Sequence, residues 1–204
     1  MTTVQYVFWD SDNTLINTAE HHWRKHVETL KTLGISLPDS YRQRVYENNG
    51  TQNWTWMSNE LGLSLDMQEY LDKIDAWYFD HINEIEIRDG VLEAIEYFKE
   101  NNMPQAVVSN GRRKSVMAAL DAKDLSKYFE FSLCNEDYKG RKPSPIPYET
   151  ALKTMEQAQG VNINPQNCLV IEDDPLGVEA GKAAKMVVLH RPIGDTSSII
   201  TLVS

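Results

Sequence analysis

The chain has only two cysteines in 204 residues, Cys134 and Cys168. Two thiols make neither a disulfide framework nor a zinc site. Both lie in apolar runs, so each is expected to be a buried, inert thiol in a reducing compartment. No run approaches the ~18 apolar residues of a membrane-spanning helix. Met1 to Trp9 lacks a basic segment and a long apolar stretch, so no export signal is expected and the chain reads as cytoplasmic. Positive charge is scarce as well: 20 Lys+Arg against 30 Asp+Glu give a net charge of −10. That balance argues against a nucleic-acid backbone or an anionic membrane as partner. Internal repeats and low-complexity segments are absent. The hydrophobic share is 41%, but the apolar residues recur in periodic blocks, so a core can form.

The periodicity changes along the chain. Val4–Trp9 reads as a short buried strand. A helix-rich block follows, in which Asn17 and Glu20 suggest a capping box. Trp23, Val27, Leu30 and Leu33 then fall at helical spacing up to Gly34. Further helices are predicted over Asp39–Asn48, Asn53–Leu61 and Asp66–Ile82. From Asp89 the pattern alternates. Strands are predicted at Gln105–Val108, Phe131–Cys134, Cys168–Ile171 and Met186–Leu189. Helices are predicted at Gly90–Glu100, Arg112–Ala122, Tyr148–Gln157 and Leu176–Ala184. Such alternation implies an α/β fold with a doubly wound parallel sheet covered on both faces. The expected organisation is a core of residues 1–16 and 88–204 with an all-helical insert over 17–87.

In such sheets the active crevice lies at the carboxyl ends of the strands. The chemical residues cluster there. Asp10-Ser11-Asp12-Asn13-Thr14 follows the first strand and Ser109-Asn110 the second. Glu172-Asp173-Asp174 follows the strand that begins at Cys168, and Lys142-Pro143 lies in the loop between the last two groups. An Asp-x-Asp pair alone is weak, since 14 aspartates produce about one by chance, and turns favour Asp and Asn. Placed after a buried strand, its two carboxylates can face one small volume, and like charges that close need a cation or a proton between them. Glu172 and Asp173 pose the same problem, which a hard divalent cation such as Mg²⁺ resolves. Asp174-Pro175 reads instead as an N-cap followed by Pro at the first helical position.

The order Asp-x-Asp-x-Thr, Ser, Lys-Pro, Glu-Asp resembles the haloacid dehalogenase-like superfamily, whose members are mostly phosphatases. The resemblance covers nearly the whole chain. It implies a Rossmann-like core, with the helical insert as the family's C1 cap. Asn17-Thr18-Ala19-Glu20-His21-His22-Trp23 resembles the start of the cap in the β-phosphoglucomutase-like and phosphoglycolate phosphatase-like branch. The chain departs from the branch at Asn13, where Gly is common but where Asn also tolerates a left-handed backbone. It departs again at Asn53, where mutases carry an Arg for a second phosphate.

The resemblance implies a phosphatase acting on a small phosphomonoester through an aspartyl-phosphate. Asp10 would be the nucleophile and Asp12 the acid and base. Ser109 and Lys142 would contact the phosphoryl oxygens, and Asn110 would help orient them. Mg²⁺ would be held by Asp10, the Asp12 backbone carbonyl and Asp173, with Glu172 close by. His22 and Asn53 are candidate contacts to the leaving group, as are Gln52, Trp54 and Trp56, although cap core is the plainer reading of the two tryptophans. A mutase, a metal-free dehalogenase and a non-catalytic binding protein are the competing readings. A small phosphorylated metabolite is the expected partner, and a monomer or weak dimer the expected state. Half of the acidic excess lies in residues 17–88, with twelve acids and seven bases, whereas Arg112, Arg113, Lys114, Lys139, Arg141 and Lys142 flank the phosphate motifs. That division favours a compact monophosphate.

Overall fold

The computed structural model describes residues 4–203. Residues 1–3 and Ser204, which the expected core division includes, lie outside the described residues. In chain order the elements are β1 (Tyr6–Trp9), α1 (Ala19–Thr32), α2 (Arg42–Glu47), α3 (Gly50–Leu61), α4 (Met67–Asp80), α5 (Val91–Glu100), β2 (Gln105–Val108), α6 (Arg113–Ala122), β3 (Phe131–Leu133), α7 (Ile146–Gln159), β4 (Cys168–Glu172), α8 (Pro175–Ala183), β5 (Val187–His190) and α9 (Ile199–Val203). Short 3-10 turns occupy several connections. The chain divides into two compact units, one reaching Asn17 and resuming at Glu86, the other spanning Thr18–Ile85. Among the described residues no helix is long and apolar enough to cross a membrane.

The discontinuous unit is a doubly wound α/β domain. Its five strands run in the order β3-β2-β1-β4-β5, and every neighbouring pair is parallel. The central strands β1, β2 and β4 are apolar along their lengths because both faces are covered. Phe8, Val108, Tyr148, Met155, Val170 and Met186 share one core cluster. The one polar residue in β2, Gln105, is satisfied internally: its amide oxygen accepts from the Trp9 indole at 2.9 Å and its amide nitrogen donates to Ile95 O at 2.9 Å. β1 lies between β2 and β4, so the winding reverses beside it and the loops after β1 and β4 emerge together.

The first helix does not start as the sequence suggests. The backbone N–H of Asn17 donates to Glu86 O at 2.8 Å, beside the antiparallel bridge of Ile16 with Ile87. Asn17 is therefore held by the returning chain, and Thr18 takes the cap position without a side-chain cap bond. The capping box sits instead at α3, where Asn49 and Gln52 exchange bonds of 2.9 Å each, so α3 begins three residues before its predicted start. The segment predicted as a single helix from Asp39 divides into a 3-10 turn, Asp39–Tyr41, and α2.

The helical unit packs around Trp23, Leu30, Trp56, Met57, Tyr70 and Ile74. Arg42 lies over the Trp23 ring and Arg44 over the Trp56 ring, 4.8 and 4.3 Å from their centroids. These contacts shield aromatic edges with charged groups that keep their solvent face.

Candidate active site

The site forms where backbone pairing carries on past the strand ends. Asp10 N donates to Ile171 O at 3.0 Å, which extends the β1–β4 ladder by one residue and fixes the Asp10 backbone. The chain then turns tightly. Ser11 O accepts from the N–H groups of Thr14, Leu15 and Ile16 at 3.3, 3.0 and 3.4 Å. Asn13 adopts φ 58°, the left-handed conformation anticipated for it. The turn directs Thr14 Oγ1 to Asp173 Oδ1 at 3.0 Å, tying the loop after β1 to the loop after β4.

Lys142 crosses this space from the loop before α7. Its Nζ donates to Asp10 Oδ1 at 2.7 Å, Val108 O at 2.8 Å and Glu172 Oε1 at 2.5 Å, which uses all three ammonium hydrogens. The Lys142 side chain is 4% exposed and that of Glu172 1%. The Tyr148 hydroxyl, from the first turn of α7, also donates to Glu172 Oε1 at 2.5 Å. Gly177 in α8 leaves room for this carboxylate, since a Cβ there would overlap it.

Ser109 and Asp12 meet across a second glycine. A Cβ at Gly111 would lie 3.1 Å from Ser109 Oγ and 3.4 Å from Asp12 Oδ2. Ser109 is buried, its N–H donates to Leu133 O at 2.9 Å, and its hydroxyl accepts from Gly111 N at 3.0 Å. Asn110 Oδ1 accepts from the backbone N–H of Lys142 at 3.2 Å and so anchors the lysine loop. The Lys142–Pro143 peptide is cis.

Asp10, Glu172 and Asp173 each offer a ligand oxygen, and these lie within 4.8 Å of one another. Burial and mutual repulsion drive the carboxyl groups toward protonation. Asp173 rises to about 7 and Glu172 to about 8, through burial first and the charge of Asp10 second. Asp10 is also raised, burial outweighing the attraction of Lys142. Burial opposes the Lys142 charge, but Asp10, Tyr148 and Glu172 outweigh it and hold its pKa well above the usual lysine value. Three carboxylates and one ammonium leave a formal charge of minus two when all are ionised. Hard oxygen donors with that charge suit a divalent cation such as Mg²⁺.

The structure thus brings Asp10, Lys142, Glu172 and Asp173 together, with Asp12, Ser109 and Asn110 in the adjoining loops. His22 and Asn53 belong to the helical unit and are engaged there. His22 stacks on Tyr78 at 5.3 Å between centroids. Asn53 is buried, donates to Val45 O and Asn48 O, and accepts from the Trp56 indole at 2.8 Å. Its amide joins α2 to α3. Gln52 serves the α3 cap, and the Trp54 indole donates to Leu65 O at 3.0 Å, so these too are structural. Tyr148 and Gly177 escaped the sequence reading. Tyr148 occupies an apolar helical stripe, and only its hydroxyl distinguishes it from core.

The family model of haloacid dehalogenase-like hydrolases matches residues 7–190. The 6-phosphogluconate phosphatase of Escherichia coli K12 is 26% identical over 196 residues, covering 93% of this chain and 83% of its own. A phosphorylated carbohydrates phosphatase of Thermotoga maritima is 21% identical over 182 residues, covering 89% of this chain and 82% of its own. The crystal structure of CbbY from Rhodobacter sphaeroides in complex with phosphate superimposes with a TM-score of 0.76 at 21% identity, over 93% of this chain and 87% of that one. At that identity the likeness bears on fold alone. The strand order, the acidic site and the match across residues 7–190 agree: the chain belongs to the haloacid dehalogenase-like hydrolases.

Proposed function

We propose that the chain is a Mg²⁺-dependent phosphatase that hydrolyses a small phosphomonoester, such as a sugar phosphate, through an aspartyl-phosphate. The observation that carries this reading is the cluster of Asp10, Glu172 and Asp173, in which the buried Asp10 and Glu172 share Lys142. The Asp10 carboxylate attacks phosphorus and forms the acyl-phosphate bond as the ester P–O bond breaks. Asp12 delivers its proton to the leaving oxygen, then takes one from the water that attacks the acyl phosphate, releasing inorganic phosphate and restoring Asp10. Lys142 and Ser109 stabilise the phosphoryl oxygens where charge accumulates. Lys142 also keeps Asp10 in place, and Asn110 fixes the loop that carries the lysine. The Asp10 and Asp173 carboxylates and the Asp12 carbonyl would hold Mg²⁺, with Glu172 a direct or water-mediated support. When bound, the ion neutralises charge so that one anion can attack another.

Residues 1–16 with 88–204 are the catalytic core on this reading, and residues 17–87 the cap that selects the leaving group. The names of the phosphatase relatives support a phosphorylated carbohydrate, and the acidity of the cap favours a single phosphate. A cytoplasmic monomer or weak dimer, with no nucleic-acid or membrane partner, completes the proposal; the buried free thiols of Cys134 and Cys168 support a reducing compartment. Hydrolysis of p-nitrophenyl phosphate tests the chemistry. Asp10→Asn is expected to lower kcat at least roughly a thousandfold, about 4 kcal/mol of barrier. Near-normal turnover by that variant would remove Asp10 as nucleophile, and full activity after exhaustive EDTA treatment would remove the metal.

A further inference from the structure

Tyr148 touches both charged partners at the centre of the site. Its ring lies beneath Lys142, with Nζ 5.0 Å from the centroid. Its hydroxyl donates to Glu172 Oε1, the same oxygen that receives Lys142 Nζ. The tyrosine is itself fully buried, packed in the core cluster with Phe8, Ala151, Met155 and Val170. A buried ring in a packed core has little freedom, so the hydroxyl is a fixed point. Gly177 lies against the same carboxylate, where a Cβ would overlap its carbon and Oε1.

This arrangement confines Glu172 by two donors on one oxygen and by the backbone of α8 at Gly177. A second ammonium in place of the hydroxyl would confine it as well, but would add positive charge beside the carboxylates. A neutral O–H donor orients the acid and leaves its charge for a cation.

We infer that Tyr148 is a positioning residue for the metal site, acting through Glu172: its hydroxyl aligns that carboxylate within the group of Asp10, Glu172 and Asp173. The inference rests on the proposed metal-dependent phosphatase reading. Groups that orient metal ligands in this way typically contribute tenfold to a hundredfold in metal affinity.

Tyr148→Phe is the discriminating change, because it keeps the ring under Lys142 and removes only the hydroxyl. Mg²⁺ is titrated calorimetrically into the metal-stripped full-length protein for the wild type, Tyr148→Phe, Glu172→Gln and the double variant. The Kd for Mg²⁺ is expected to rise about tenfold in Tyr148→Phe. The Mg²⁺ concentration giving half-maximal hydrolysis of p-nitrophenyl phosphate should rise by the same factor. In the Glu172→Gln background the second change is expected to add less than twofold, since the partner through which the hydroxyl acts is already altered. A shift below twofold in Tyr148→Phe alone overturns the inference, and so does an equal, additive shift in both backgrounds. If Tyr148→Phe fails to fold, Tyr148→Trp and Tyr148→Leu replace it under the same cycle with Glu172→Gln, where additivity again overturns the inference. A wild-type protein that takes up no Mg²⁺ overturns the proposed metal site together with this inference, whereas a wild type that binds it with an unshifted Tyr148→Phe overturns this inference alone.

Discussion

Lys142 is the residue on which the buried charges depend. It bridges Asp10 and Glu172, and its three hydrogens are all taken by groups buried with it. Replacing it with Met leaves two carboxyl groups buried without their cation. Breaking a buried pair in this way costs about 3 kcal/mol, so urea denaturation of Lys142→Met should show a loss of that order, together with a fall in kcat of at least roughly a hundredfold. The roles of Asp10, Asp12, Ser109, Lys142 and Glu172 were readable as proposals because each follows a buried apolar strand or lies in an adjoining loop, and strands are legible from apolar runs. Tyr148 was not readable: one oxygen atom on a core-facing ring leaves no trace in hydropathy. Asn53 has a use that its sequence position does not reveal. A polar residue after a glycine resembles a loop contact, but its amide is spent on Val45, Asn48 and Trp56.

At the scale of single elements, α8 sets two requirements against each other. Gly177 lies in its first turn, where Ala would ordinarily add about 1 kcal/mol of helix stability. The Glu172 carboxylate occupies the space a Cβ would need, between two fixed donors. Gly177→Ala is therefore expected to lower the unfolding free energy and to weaken Mg²⁺ binding; a variant more stable than wild type would show that the carboxylate moves freely. The same helix carries the N-cap anticipated from Asp174-Pro175: Asp174 Oδ1 accepts from Leu176 N at 2.7 Å. Asp174→Ala should cost about 1 kcal/mol in thermal or urea denaturation. Caps were legible only where no longer-range bond competed. The α8 cap is local and stands as read, whereas Asn17 is held by Glu86 from a distant part of the sequence.

For the whole molecule, two sets of titrating groups tie stability to pH in opposite senses. In the helical unit His26 is buried against the Tyr70 hydroxyl, 2.5 Å away, and burial holds its pKa well below the usual histidine value. A depressed base is neutral in the folded state and takes a proton more readily when unfolded, so its contribution is complete above about pH 6.5 and is lost as pH falls below it. In the α/β unit Asp173 and Glu172, raised to about 7 and about 8, behave in the opposite sense. The folded state keeps protons that the unfolded chain releases near its ordinary carboxylate values, so stability declines as pH rises from about 4 to about 8. The two raised carboxyl groups outweigh the one depressed histidine where their ranges overlap, so urea denaturation in EDTA should lose resistance as pH rises from about 4.5 to about 8. Mg²⁺ should restore resistance toward the alkaline end, and His26→Phe should steepen the decline below pH 6.5, where the histidine otherwise opposes it.

The interruption of the α/β unit also sets the order in which its parts become available. The helical unit is contiguous, from Thr18 to Ile85, whereas β1 must wait for β2 at Gln105 and β4 at Cys168 before it has neighbours on both sides. Pairings that distant in sequence are slow to close. On the ribosome, an emerging chain exposes all four cap helices while Tyr6–Trp9 is still an unpaired apolar segment. The first strand made is among the last to be covered, and Asp10, the proposed nucleophile next to it, meets Glu172 and Asp173 only when synthesis is nearly complete. A half-made chain therefore cannot assemble the acidic site, and its chief hazard is the capture of that waiting strand by another chain.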